Sequence, residues 1–193
     1  MKILFTSLVV LFLCSTTVNA QNYNIDASHS NVQISVERFG VVNVSGRFKA
    51  VEGKIYYNKA DASKTNANAA IKVDSYDANN IGGEQAVKSK AFLDAEGFPK
   101  ITFIGSKAIE KEGKMYLIGA LTIHGVTKTI ELPFSIKGPL LDLPTQKQSI
   151  AFNASITINR QDYGIAFDRK LPNGTSLVGN DVEITLSILA IAE

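Results

Sequence analysis

His29 follows Asp26 by three residues and is flanked by Ser28 and Ser30, so one short stretch holds a titratable base, a carboxylate and two hydroxyls. These are the raw materials of proton transfer, and His29 with Asp26 is a candidate acid–base pair whose geometry the spacing alone does not fix. The stretch lacks the glycine-flanked elbow that exposes a hydrolase serine. His29 and His124 are the only histidines, which excludes a histidine-only metal cluster, and no carboxylate stands at a recognisable zinc spacing from them. Gly82-Gly83 and Gly179 do not form a phosphate loop. No catalytic residue and no metal site is therefore assigned. A second polar group, Arg160, Asp162 and Tyr163, follows a strong strand pattern. Either Arg160 pairs with Asp162 to fix a turn, or Arg160 and Tyr163 offer donors to an anionic group.

The elements that must carry these residues are strands. Ile130, Leu132, Phe134 and Ile136 alternate with Thr129, Glu131, Ser135 and Lys137. Ile150, Phe152, Ala154, Ile156 and Ile158 alternate with polar or small residues, as do Val182, Ile184, Leu186 and Ile188. Such sheets have one dry face and one wet one. Earlier strands are marked by Val32, Ile34 and Val36; by Val42 to Lys49, continuing through Gly53 to Tyr57; and by Ala69, Ile71 and Val73. Ile101 to Ile109, and then Met115, Leu117, Leu121 and Ile123, bring the total to about eight. Glu112-Gly113-Lys114 predicts a tight hairpin, and His124-Gly125 a turn or a bulge.

Two segments depart from this period. Gly83 to Ala95 is tolerant of helix and is closed by Gly97 and Pro99, which predicts a short helix or ordered lid outside the barrel or across one end. Leu140 to Gln148, with Pro139 and Pro144, reads as a loop, and Pro133 as an irregular or edge position. The fold class is all-β. Eight antiparallel strands that close leave an interior that either fills with side chains or holds one small ligand.

Lys2, the apolar run Ile3 to Cys14 and the small residues around Val18-Asn19-Ala20 have the order of a signal peptide over residues 1–20, with cleavage after Ala20. The run is too short for a membrane span, which needs about 20 apolar residues. Cleavage removes the only cysteine, so the remaining 173 residues, 21–193, form one domain without a disulfide or thiol nucleophile. Without Lys2, 19 basic residues stand against 18 acidic ones, and this balance offers no electrostatic basis for binding nucleic acid. The expected location is periplasmic or secreted.

Several motifs in order resemble the YceI-like family, the polyisoprenoid-binding proteins of bacterial envelopes. They are Tyr23-Asn24-Ile25-Asp26, His29-Ser30-Asn31-Val32, Gly46-Arg47-Phe48, Lys90-Ala91-Phe92-Leu93-Asp94, Phe98-Pro99-Lys100-Ile101-Thr102-Phe103, Gly119 to Lys128, Arg160 to Ile165 and Val178 to Val182. The resemblance covers nearly all of residues 21–193. It implies an extended lipocalin-like eight-stranded antiparallel barrel, often a homodimer, with an apolar tunnel for a polyisoprenoid, isoprenoid quinone or similar amphiphilic lipid. No cofactor is required. One departure is visible: many relatives carry Val-Lys-His-Leu where this chain has Val36-Glu37-Arg38-Phe39.

The inward faces make Val32, Ile34, Val36, Phe48, Phe103, Leu121, Ile123, Phe134, Ile136, Phe152, Ile156, Ile184 and Leu186 the candidate tunnel wall, each equally able to serve as ordinary core. Arg38, Tyr76, Tyr116, Arg160 and Tyr163 are the candidate mouth or head-group residues, because an anion is costly to bury without donors. The leading expectation is noncatalytic carriage with transient membrane-surface contact. The alternatives are a filled structural or protein-interaction barrel and an enzyme acting on a lipid. Movement of the segment from Gly83 to Ala95, or of that from Leu140 to Gln148, is the expected means of release.

Overall fold

The computed structural model describes residues 20–193; the expected signal peptide, except for Ala20, lies outside the described residues. Eleven strand segments form one antiparallel sheet: β1 (Gln21–Ile25), β2 (Asn31–Arg38), β3 (Val42–Phe48), β4 (Val51–Tyr57), β5 (Asn66–Lys72), β6 (Tyr76–Asp77), β7 (Lys100–Lys111), β8 (Lys114–Ile123), β9 (Val126–Asp142), β10 (Lys147–Asn159) and β11 (Val178–Ala192).

These segments fill eight positions, because three positions are built from two consecutive pieces each. β1 and β2 both pair with β11, at Tyr23–Ala192 and Val32–Leu186, and the 3₁₀ turn Ala27–His29 joins them. β4 and β3 lie against β1 and β2, and β5 and β6 lie against β4 and β3. β7 to β11 follow as single long strands, each paired with the next. Since β11 pairs back onto β1 and β2, the barrel is closed and the sheet has no long free edge.

The two ends differ. One carries the loop 58–65, the hairpin turns 112–113 and 143–146, the first described residue, Ala20, and Glu193. There Tyr23, Ile150, Ala190 and Ala192 are buried and fill the barrel. The opposite end carries residues 39–41, 78–99, 124–125 and 160–177, and it is the open one.

The eight-stranded expectation matches the eight positions, and the hairpin at Glu112-Gly113 is present with both residues at positive φ, 50° and 73°. His124-Gly125 is a turn of the same kind, with φ of 50° and 75°. Three expectations need correction. Leu140 to Gln148 is not a loop: β9 continues to Asp142 and β10 begins at Lys147, leaving a turn of residues 143–146. Pro139 is tolerated inside the strand because Gly138 and Pro139 together face Ile150, a bulge at which the β9–β10 register shifts. Pro133, by contrast, sits where expected, paired with Tyr116 on one side and just beyond the last β9–β10 pair, Phe134–Ala154.

The other corrections concern strand ends. Val73 belongs to a 3₁₀ turn after β5, and the unanticipated β1 begins at Gln21. Helix α1 (Ile81–Lys88) starts before Gly83 and ends before Ala95. The Asn80 side chain accepts from the Gly82 and Gly83 amides and caps its first turn, while residues 89–97 continue as tight turns. With two glycines in eight residues its intrinsic propensity is low. Packing across the open end holds it.

Candidate functional site

A cavity of about 310 Å³ runs down the barrel from the α1 end, within the range of small-molecule sites. Its wall is apolar. β2 contributes Val32, Ile34 and Val36; β3 contributes Phe48, β7 Phe103, and β8 Leu121 and Ile123; β10 contributes Phe152 and Ile156, and β11 Ile184 and Leu186. Phe134 and Ile136 stand outside the lining. β9 runs from the mouth toward the filled end, so Ile130 and Leu132 reach the cavity while residues 134 and 136 have passed below its floor.

The space stays open because part of the wall is small. Ala67 and Ala69 on β5 line it where larger side chains would close it. Two strands along, on β8, a β-carbon at Gly119 would clash with the Phe103 ring of β7, so the glycine leaves room for that ring over the sheet. Ile55, Ile71, Ile101 and Leu117 also line the cavity; their alternation was readable, but which level of the barrel each occupies depends on register.

The mouth is partly covered. Gly83, Ala86 and Val87 of α1, with Phe92 and Leu93 after it, line the cavity, so the helix lies across the open end. The Phe92 ring packs on Phe167 at 4.9 Å between centroids, tying this cover to the segment after β10. The turn 143–146 lies at the opposite, filled end and has no part in the mouth.

The polar candidates separate clearly. Arg38 and Glu37 line the rim, and the Arg38 guanidinium sits 3.9 Å from the centre of the Phe39 ring. Tyr76 is buried outside the lining, against Phe48 at 5.2 Å, and burial raises its phenol pKa. Tyr116 stands near the opposite end, paired with Ile109 and Pro133, with Lys111 Nζ 5.7 Å from its ring.

Arg160 and Tyr163 line the cavity itself, and both are buried. They belong to a 3₁₀ turn, Arg160–Tyr163, that closes β10 and is capped by Asn159, whose side chain accepts from the Gln161 amide. Arg160 does not pair with Asp162, whose carboxylate is 3.6 Å from Lys128. Its Nε donates to the Gly179 carbonyl at 2.9 Å, Nη1 to Ile165 at 2.6 Å, and Nη2 to Phe167 at 2.6 Å and Val178 at 3.4 Å. Burial lowers the guanidinium pKa and the charge of Asp168 opposes that shift, yet an arginine remains charged at any physiological pH. Burial, with Asp162 adding to it, raises the Tyr163 phenol.

His29 and Asp26 do meet, with Nδ1 and Oδ2 2.7 Å apart, but on an outer 3₁₀ turn where the His29 side chain is 72% exposed. Neither lines the cavity. Among the described residues no group of three or more His, Cys, Asp or Glu gathers to hold a metal, and no helix is long and apolar enough to cross a membrane. The arrangement is that of a binding cavity, with no nucleophile and base brought together at its wall.

A YceI-like domain model matches residues 23–190. Over 170 residues the chain is 30% identical to a UPF0312 protein of Staphylococcus aureus, covering 86% of this chain and 95% of that one. Among solved structures, Burkholderia cenocepacia BcnA is similar with a TM-score of 0.74 at 24% identity, covering 86% of this chain and 99% of that one. A polyisoprenoid-binding domain from Saccharophagus degradans, implicated in plant cell wall breakdown, has a TM-score of 0.66 at 15% identity, with 89% and 98% covered. These two structural likenesses bear on the fold alone.

Proposed function

The chain belongs to the YceI-like family, and from that premise we propose that it is a noncatalytic carrier that binds, stores or transports a polyisoprenoid, an isoprenoid quinone or a related amphiphile. The observation that carries this reading is the largely apolar cavity, about 310 Å³, that reaches the α1 end of the barrel. Between Phe152 near the floor and Arg160 near the mouth, β10 rises eight residues, about 26 Å at ~3.3 Å each. With strands tilted by ~40° this is about 20 Å along the barrel axis, enough for a chain of several isoprene units.

Each methylene buried contributes about 0.8 kcal/mol, so a chain of ten buried carbons gains about 8 kcal/mol, comparable with the ~4–15 kcal/mol lost on immobilisation. The tail lies inside and the polar end stays toward the mouth. The polyisoprenoid-binding domain of Saccharophagus degradans, alike in fold, supports the isoprenoid class.

Export to the periplasm or medium belongs to the same reading, supported by the charged, apolar and small segments of residues 1–20 in that order. Transient contact of the open end with a membrane surface is supported by Val41, Val42, Val44 and Ile81, all exposed beside the mouth. A homodimer enters through the family resemblance. The test is titration with prenols of increasing length, read by native mass spectrometry. One prenol per chain, with affinity rising with length until the cavity is full, is expected; no saturable binding at any length overturns the reading.

A further inference from the structure

Arg160 is an unusual residue to find in the wall of an apolar cavity. It is 4% exposed, and no carboxylate pairs with it among the described residues. The nearest acidic neighbours along the chain are engaged elsewhere: Asp162 with Lys128 at 3.6 Å and Asp168 with Lys170 at 3.9 Å. What surrounds the guanidinium is a set of four backbone carbonyls, those of Ile165, Phe167, Val178 and Gly179. Carbonyl dipoles satisfy donors without cancelling the charge. A guanidinium has five N–H groups, so these four bonds leave one donor unmatched.

Tyr163, 2% exposed, stands three residues on in the same 3₁₀ turn and lines the same cavity. Its phenol brings a second potential donor to that wall. At the rim, Glu37 and Arg38 carry opposite charges and lie in contact with solvent, which screens both. The wall therefore holds one interior cation with no carboxylate in contact, its charge offset only by the more distant Asp168, beside a phenol and with hydrocarbon around them. Such a charge is costly to keep in a dry site unless something of opposite sign enters with the ligand.

Resting on the carrier reading, we propose that Arg160 and Tyr163 form an interior head-group subsite that selects amphiphiles whose polar end is an oxyanion, either a carboxylate or a phosphate ester. The chain of such a ligand runs down toward Phe152, and its head stops at the 3₁₀ turn just inside the mouth. The fork of Arg160 is already oriented by its carbonyl bonds, so little further ordering accompanies capture of the head. Asp162 and Lys128 do not line the cavity and pair with each other at 3.6 Å.

The experiment compares four probes that share a farnesyl chain and differ in the head: farnesoic acid, farnesyl monophosphate, farnesol and farnesylamine. Affinities are measured by competition against one fluorescent lipid, with the full chain. The acid and the phosphate are expected to bind at least about 10-fold more tightly than the amine, with the alcohol between them. In Tyr163→Phe the advantage of the oxyanions over the alcohol shrinks by roughly fivefold. Arg160→Gln also unties the segment from Ile165 to Gly179, so the wild-type series and Tyr163→Phe carry the test. A purely structural Arg160 predicts no preference among heads. Equal binding of all four probes overturns the subsite while leaving the carrier reading intact; failure of all four to bind overturns both.

Discussion

Phe152 lines the cavity while its ring stacks on Phe134, with centroids 5.2 Å apart and planes 12° from parallel. Phe134 itself is outside the cavity, so this pair is the boundary between the part of the barrel that is filled and the part that is open. Truncating the upper ring extends the open part. Phe152→Ala is expected to cost about 3–5 kcal/mol of stability in urea unfolding and to shift the preferred prenol toward a longer chain. An unchanged length preference in the folded variant contradicts this position for the floor.

The contact between Phe92 and Phe167 holds the cover over the mouth. An aromatic pair of this kind contributes about 0.5–1.5 kcal/mol, which as a barrier to opening corresponds to roughly 2- to 12-fold in rate. Phe92→Ala is therefore expected to speed ligand release by several-fold in stopped-flow displacement, with a smaller effect on unfolding. Release at the wild-type rate shows that α1 and residues 89–97 do not gate the cavity.

His29 and Asp26 form an exposed pair whose titration is coupled to the fold. The hydrogen bond to Asp26 raises the imidazole pKa, and the same bond lowers that of the carboxylate. For His29 the stabilising contribution is complete below its ordinary value of about 6.5 and is lost as pH rises through the folded value. For Asp26 it is present above about 3.9 and is lost as pH falls through the depressed value. The pair thus supports the fold in mildly acidic solution. NMR titration of His29 is expected to give a midpoint above the ordinary imidazole value, falling toward that value in Asp26→Asn; a midpoint that Asp26→Asn leaves in place contradicts the pairing.

Thr65 is 1% exposed and its Oγ1 has no hydrogen-bond partner. A buried hydroxyl without a partner costs about 1–3 kcal/mol, and valine has nearly the same shape without that cost. Thr65→Val is expected to raise the urea midpoint at unchanged slope. A lowered midpoint means the hydroxyl has a bonding role in solution.

Most of the architecture was legible because a half-buried strand writes its pleat into the chain. The inward rows of β2, β8, β10 and β11 follow directly from alternation. What alternation lacks is height along the barrel. Phe134 and Phe152 look alike in sequence, yet β9 and β10 run in opposite directions and place only Phe152 at the cavity. Prolines misled for a related reason. Pro139 signals a break to a local reading, but a bulge opposite Ile150 absorbs it, and that depends on the partner strand. Arg160 and Asp162 are close enough in sequence to suggest an ion pair. The partners Arg160 finds instead are carbonyls up to 19 residues away, two on the aperiodic segment after the 3₁₀ turn, Ile165 and Phe167, and two at the start of β11, Val178 and Gly179.

The central claim is that the interior holds an amphiphile's chain, and native mass spectrometry of protein purified without detergent, followed by extraction and analysis of what it carries, tests it most directly. The prediction is one apolar-tailed lipid per chain, replaceable by added prenol at the same stoichiometry. Protein recovered empty under lipid-preserving conditions, which also fails to take up prenol, would contradict it.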